Sequence, residues 1–415
     1  MIKKLFSYKT PQNLMVLMNI MALLLLYLYK DELDRLVLIS GLLLIFIIYL
    51  SNFILLKVSS GDHYIFMVIS MLISIGIIMI YRINPNYGFR QIVWFGIGIV
   101  NFFLFYFVVR KVKTWDKWLM IYASLAFILF LATLLFGIRI KGAINWIKIG
   151  GYSFQPAEII KILFIFFMAS YYVGKGKAID KRVFLAIVYG HLGFLFLQRD
   201  LGTAMLFFFV FISITYIYEE KRYLLIYNII GALFLAGISY LTVNHVRVRV
   251  LTWINPWIYV DNTGYQITQS LFAIATGGFF GTGIGLGNPE YIPEVHTDFI
   301  FSAICEEMGI FGGIAVIMLF LILVYRGFKI ALQQRNKFFR ITALGITIMF
   351  GFQAFIILGG VTKFIPLTGV TLPFVSYGGS SLISSFAALG ILQVASEELD
   401  LEQEEDHGHR IQKDH

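Results

Sequence analysis

The chain has 415 residues, of which 59% are hydrophobic and only 14% charged, with a formal net charge of +9 and a mean hydropathy of +0.81. That balance excludes an ordinary soluble domain and marks an integral membrane protein. The basic excess then reads as a topology signal and gives no ground for nucleic-acid binding.

Apolar runs follow one another at Leu14 to Tyr29, Leu36 to Leu56, Tyr64 to Tyr81, Ile92 to Val109, Trp118 to Phe136 and Ala157 to Val173. Six more come at Val183 to Leu197, Leu201 to Tyr218, Leu224 to Val243, Phe299 to Tyr325, Ile341 to Gly360 and Gly379 to Val394. At roughly 20 residues each they predict about twelve transmembrane helices in one all-α polytopic bundle. Lys3, Lys4 and Lys9 precede the first run, but no small-residue cleavage pattern follows, so that run is read as an uncleaved helix. An even number of spans puts both termini on one side. Most cations, among them Lys57, Arg110, Lys111, Lys175, Arg222, Arg326 and Arg340, then share that side, which the positive-inside rule makes the cytoplasm. Cys305 is the only cysteine and falls in an apolar run, so neither a disulfide nor a cysteine metal cluster is available.

Three outward segments are richer in Gly, Pro and polar residues: Gly137 to Pro156, Asn244 to Asp298, and Val361 to Tyr377. The middle one exceeds ordinary connection length and carries Arg247, Arg249, Asp261, Glu290, Glu294 and His296. Within it Ile267, Leu271 and Ile274 recur at helical spacing, with Gln266, Gln269 and Ser270 on another face. The glycines from Gly277 to Gly287 lack the Lys-Ser/Thr of a P-loop and predict a tight irregular turn. Glu158 and Lys161 stand at i, i+3 where a helix enters the membrane, a spacing suited to an ion pair that offsets burial. Thr297 or Asp298 is expected to cap the following helix, and Glu306 and Glu307 lie about two turns into it. Small residues from Ser376 to Ser380 favour close helix approach over substrate contact. The tail from Glu397 to His415 is polar and expected to be irregular.

A carboxylate with cations nearby suits proton transfer beside an anionic group. Asp261 qualifies as the base, with Arg247 and Arg249 as guanidinium forks. Read alone, Asp261 would be an ordinary solvated loop acid. Its surroundings change that. KGAINWIKIGG (Lys141 to Gly151), FQPAEIIK (Phe154 to Lys161), NPWIYVDNTGYQITQS (Asn255 to Ser270), PEVHTDFIFSAICEEMG (Pro293 to Gly309) and PLTGVTLPFVSYGGSS (Pro366 to Ser381) together resemble the SEDS proteins, which shape, divide and sporulate bacterial cells. QRDLGTA at Gln198 to Ala204 is a weaker match, and Arg90 with Gln91 also resembles a family motif.

The resemblance runs from about Asp62 to Val394. It implies a ten-helix bundle in the bacterial cytoplasmic membrane that polymerises lipid II, the undecaprenyl-diphosphate-linked disaccharide pentapeptide, at the outer face, beside a class B penicillin-binding protein. It implies Asp261 as the functional carboxylate, Glu158 and Lys161 as important, and Lys148, Arg90, His296 and Ser376 as further substrate-binding candidates beside Arg247 and Arg249. A divalent cation, Mg or Mn, would screen the diphosphate, although no dedicated ligand cluster stands out. The division expected is residues 1–61 as two added helices, 62–396 as the core with the large loop 244–298, and 397–415 as a cytoplasmic tail. Departures from the family pattern are Asn145 where a basic residue is frequent, Ala157 for Ser, Arg199 for Pro, Ile357 for Asn and Lys363 for Gly. Competing readings are a lipid II flippase, which would also need a polar cavity in a bundle, and a non-catalytic scaffold for the penicillin-binding protein.

Overall fold

A computed structural model describes residues 12–21, 24, 35–140, 142–174 and 179–411, with side chains in the last helix only as far as Glu397. Every apolar run expected from Leu36 onward is a helix: α1 (Arg35–Val58), α2 (His63–Ile83), α3 (Pro85–Lys111), α4 (Leu119–Phe136), α5 (Ala157–Val173), α6 (Lys181–Leu197), α7 (Leu201–Tyr218), α8 (Arg222–Thr242), α11 (Ile300–Gln333), α12 (Lys337–Val361) and α13 (Gly379–Ile411), with α9 (Asn244–Ile254) and α10 (Tyr265–Gly277) inside the long outer segment. Among the described residues nine helices are long and apolar enough to cross a membrane; α5 and α6 have 17 residues each and fall just short. Of the first expected run, Leu14 to Tyr29, residues 14–21 and 24 are described and helical, and the rest lies outside the described residues. The tail, expected to be irregular, continues α13 to Ile411, as its Glu, Leu and Gln content favours.

Helix starts follow from local chemistry. Asp62 caps α2 by accepting from Tyr64 N, Asn84 caps α3 with Pro85 at its first turn, and Asn336 caps α12 by accepting from Phe338 N and Phe339 N. In the interior, α3 and α13 touch where side chains are absent: a β-carbon on Gly98 would stand 2.5 Å from Phe386, and one on Gly390 2.5 Å from the Phe102 carbonyl. At the periphery α8 buries only Asn228 and presents Leu233, Phe234 and Leu241 outward, a composition for lipid.

Between α4 and α5 the chain forms a three-stranded antiparallel sheet, β1 (Gly137–Ile140), β2 (Ala143–Ile149) and β3 (Tyr152–Phe154), in the order β1-β2-β3. The alternations Ile138/Ile140 and Ile147/Ile149 and the turn glycines Gly142 and Gly150 account for it.

The long outer segment is not a plain loop but carries two helices, α9 and α10. Its amphipathic stretch is α10; of the expected apolar face it buries Ile267 and half-buries Leu271 and Ile274, and Ala273 is buried beside them. Ser270, expected on the polar face, is buried too, because its hydroxyl bonds Ser302 Oγ at 2.7 Å and the Val361 carbonyl at 3.0 Å. The glycine run after α10 stitches into a break in α11. At Gly309 the backbone turns to φ 68°, and a β-carbon there would lie 2.3 Å from the Phe279 carbonyl. The groups released by the break are taken up by the glycine run: Thr282 N donates to the Glu306 carbonyl at 2.9 Å, Gly283 N to the Glu307 carbonyl at 3.0 Å, and Ile310 N to the Gly278 carbonyl at 2.9 Å. Beyond the break α11 still rises about 36 Å, enough for the ~30 Å hydrocarbon core.

Two carboxylates and one guanidinium close this junction. Glu307 Oε2 accepts from Gly285 N at 3.0 Å and Glu306 Oε1 from Asn288 N at 2.8 Å. Arg82 of α2 donates to the Gly285 and Gly287 carbonyls at 3.0 and 2.9 Å, and its Nε lies 3.1 Å from Glu307 Oε1, whose side chain is fully buried. Arg82→Met therefore strands a buried carboxylate, at a cost of about 3 kcal/mol. The expected result is a lower midpoint of thermal unfolding in detergent and faster proteolysis within 277–287, both largely restored in Arg82→Met/Glu307→Gln; a wild-type midpoint for the single variant would contradict the clasp.

Candidate active site

A cavity of about 1220 Å³ lies beneath the outer segments, larger than the roughly 300–1,000 Å³ of small-molecule pockets. Its walls are the first turns of α3 (Phe89, Arg90, Val93, Trp94, Ile97), the sheet and its exit (Asn145, Trp146, Ser153, Gln155, Glu158), the α6–α7 turn (Arg199, Asp200, Thr203), Arg249 of α9, His296 to Asp298, and the stretches Thr368 to Thr371 and Tyr377 to Ser381. All three of the outward segments thus contribute to one chamber, whose lining holds three guanidiniums and three carboxylates.

The carboxylates are engaged. Glu158 accepts from Lys161 Nζ at 2.9 Å and from Ser384 Oγ at 2.7 Å, in a pair almost wholly buried. Only Glu158 of the two lines the cavity, so Lys161 acts from behind it. Asp200 accepts from Asn145 Nδ2 at 2.9 Å, Gln155 Nε2 at 3.0 Å and Thr203 N at 3.1 Å, which caps α7 and ties the sheet to it. Asn145, where a basic residue is frequent in the family pattern, therefore serves as a donor to Asp200. Asp298 stands opposite Arg249 across Gly369: a β-carbon on that glycine, at φ 77°, would be 4.0 Å from Asp298 Oδ2 and 3.8 Å from Arg249 Nη2.

Arg249 also donates to the Thr368 carbonyl at 3.0 Å. Burial pulls its pKa below the ordinary arginine value, opposed by the charges of Asp298 and Asp200, and it remains a cation. One turn earlier, His245 has its pKa lowered by burial and then by Arg249 and Arg199, which keeps the imidazole neutral near pH 7. His296 stacks against Tyr87 with centroids 4.7 Å apart, and its carbonyl accepts from Tyr377 N at 2.8 Å.

Of the expected site residues, the cavity gathers Arg90, Arg249, His296 and Glu158. Arg247 and Lys148 are exposed and outside its lining, and so is Asp261, on the turn ahead of α10. Ser376 is buried, donating to the Thr297 carbonyl and accepting from Leu372 N, which makes it a brace for the wall. The expected cap at Thr297 or Asp298 is absent: α11 begins at Ile300 with no side-chain cap bond, because Thr297 Oγ1 donates to the Glu294 carbonyl and Asp298 faces the cavity. Asp200, Asp298 and Gln155 were not singled out as site residues from sequence; the polar tripeptide His296 to Asp298 and the QRDLGTA string were the available signals. Among the described residues no group of three or more His, Cys, Asp or Glu side chains could hold a metal ion.

Fold and cavity together define a multi-pass helical membrane protein with a chamber suited to an amphiphilic, anionic ligand. The family model of FtsW, RodA and SpoVE, described as cell cycle protein, matches residues 62–400, and the chain belongs to this family, the SEDS proteins. It is 35% identical over 363 residues to the peptidoglycan glycosyltransferase RodA of Mycobacterium tuberculosis, covering 80% of this chain and 77% of that one. It is 34% identical over 358 residues to the stage V sporulation protein E of Bacillus subtilis, covering 81% and 97%. Among solved structures, a chain from work on the structural coordination of polymerization and crosslinking by a peptidoglycan synthase complex superposes with a TM-score of 0.71 at 27% identity, covering 82% of this chain and 98% of that one. The rod shape determining protein RodA of Thermus thermophilus superposes with a TM-score of 0.62 at 25% identity, covering 81% and 97%.

The Asp200 clamp is directly testable. Asp200→Ala removes a helix cap and leaves two half-buried side-chain amides without their acceptor, a loss of about 2 kcal/mol. Hydrogen exchange across 143–155 and the first turn of α7 is expected to accelerate while α12 exchanges as in the wild type; unchanged protection of the sheet would refute the clamp.

Proposed function

We propose that the protein is a peptidoglycan glycosyltransferase that polymerises lipid II at the outer face of the bacterial cytoplasmic membrane, with both termini cytoplasmic and a class B penicillin-binding protein as partner. The observation that carries this reading is the chamber of guanidiniums and committed carboxylates beneath the long outer segment, in a chain of this family. A lipid-linked donor places its diphosphate where the guanidinium of Arg249 can neutralise it, and the leaving diphosphate develops charge in the transition state. The acceptor hydroxyl attacks the anomeric carbon, the bond to the diphosphate oxygen breaks, and the hydroxyl proton passes to a carboxylate.

Asp261 is the proposed base. Its carboxylate is exposed and has no hydrogen-bond or ion-pair partner among the described residues, so a substrate hydroxyl meets no competitor for it. Because Asp261 stands outside the cavity lining, the turn must approach the chamber when substrate is bound. Asp298, already in the lining beside Arg249, is the second reading.

Labelled lipid II incubated with purified protein, with and without the penicillin-binding partner, separates the two. Loss of the base should reduce glycan formation about 10²- to 10⁴-fold. The expected outcome is that Asp261→Asn shows this loss and Asp298→Asn a smaller one. If Asp261→Asn polymerises at the wild-type rate, Asp261 is not the base, and an abolished Asp298→Asn would transfer the role.

A further inference from the structure

The α6–α7 turn carries a side chain that its backbone does not favour. Asp200 N donates to the Leu195 carbonyl at 2.9 Å and Arg199 N to the Phe196 carbonyl at 3.0 Å, the two bonds of a Schellman ending. Arg199 occupies the left-handed position of that motif at φ 61°, where glycine is the usual residue because a β-carbon is strained. The turn is held from outside as well, by Ile144 N donating to the Gln198 carbonyl at 3.0 Å. Nothing in this framework uses the Arg199 side chain.

That side chain reaches the cavity instead. Among the described residues neither Arg199 nor Arg90 makes a side-chain hydrogen bond or ion pair, whereas Glu158 and Asp200 have their acceptor capacity taken up within the protein. Arg199 and Arg249 both act on His245, which places two guanidiniums on one side of the chamber. Nearby polar atoms are also buried without partners: Asn145 Oδ1, Thr368 Oγ1 and Ser380 Oγ. Asp298 stands beside Arg249, so the two cations exceed the carboxylate between them by one charge, and with Arg199 uncommitted they describe a subsite for an anionic ligand.

We infer that Arg199 is a substrate-binding residue that pairs with Arg249 to hold the diphosphate of a lipid-linked substrate. This rests on the glycosyltransferase reading for the identity of the ligand, while the anion subsite itself rests on the geometry. Each joining step brings together two lipid-linked molecules, each with its own diphosphate, so cations on separate walls, Arg199 with Arg249 on one and Arg90 on the other, match the charge to be held.

The left-handed backbone makes a clean test available, because Arg199→Gly and Arg199→Asn remove the guanidinium and suit the turn at the same time. Equilibrium binding of undecaprenyl diphosphate to the full chain in phosphatidylcholine nanodiscs, with and without phosphatidylglycerol, is measured beside lipid II polymerisation. Loss of one charge-assisted fork is expected to weaken undecaprenyl diphosphate binding about tenfold in both variants, with Arg199→Lys intermediate. The KM for lipid II should rise more than kcat falls, and thermal midpoints should be no lower than wild type. Wild-type binding by Arg199→Gly, or a difference seen only toward phosphatidylglycerol, overturns the inference. A wild-type protein that binds undecaprenyl diphosphate but forms no glycan would instead count against the function and leave the subsite standing.

Discussion

A helix can be interrupted in apolar surroundings only where the amides and carbonyls it releases find other partners, and the organisation of this protein's outer face depends on how that demand is met at Gly309. Water cannot serve there. The glycine run that ends α10 supplies the amides, Glu306 and Glu307 supply acceptors for the run's own backbone, and Arg82 neutralises the buried Glu307 while binding two carbonyls of the run. A single junction thereby locks α2, α10 and α11 together. The absence of side chains is what permits the contact, since a β-carbon on Gly277 would fall 1.9 Å from the Cys305 carbonyl.

The chamber beside this junction obeys a second electrostatic rule. Carboxylates taken out of water must be paired, and two of the three here are paired for a structural end: Glu158 joins α5 to α13, and Asp200 joins the sheet to α7, while Asp298 stands beside Arg249. Guanidiniums are cheaper to bury and present planar forks, so they are the groups left over for a ligand. Had the acids remained uncommitted, they would have neutralised the arginines and repelled a diphosphate. The fold separates acids that build walls from cations that face the interior.

The helical core was legible because bilayer-spanning runs carry the strongest signal a sequence offers, and each described run became a helix. The three polar segments were legible as a site for the same reason, since ionisable residues gathered outside such runs need another explanation. What escaped was set by contacts distant in sequence. The sheet at Gly137–Phe154 is only a short alternation of isoleucines between glycines, easily absorbed into a loop. Asp200 and Asn145 are 55 positions apart, and no local pattern joins them. Asp298 looked like a helix cap because the residue type and place suit one; Thr297 turning to Glu294 removed that role and left the carboxylate facing the chamber.

In the proposed mechanism, the separation of Asp261 from the chamber answers opposite requirements on binding groups and a base. Cations that stabilise charge are most effective when fixed in advance in a medium of low dielectric, and Arg249 meets this through its burial and its bond to Thr368. A base must instead reach whichever hydroxyl the acceptor presents. The turn carrying Asp261 hangs between two anchored helices, α9 held by Trp253 Nε1 on the Lys363 carbonyl at 3.1 Å and α10 held by Ser270 on Ser302 and Val361. Between those anchors Trp257 and Ile258 are exposed, so a shift of the turn breaks little buried packing. In the proposed mechanism, fixed cations lie below and the exposed Asp261 carboxylate above, so that a bulky lipid-linked sugar enters before the base closes on it.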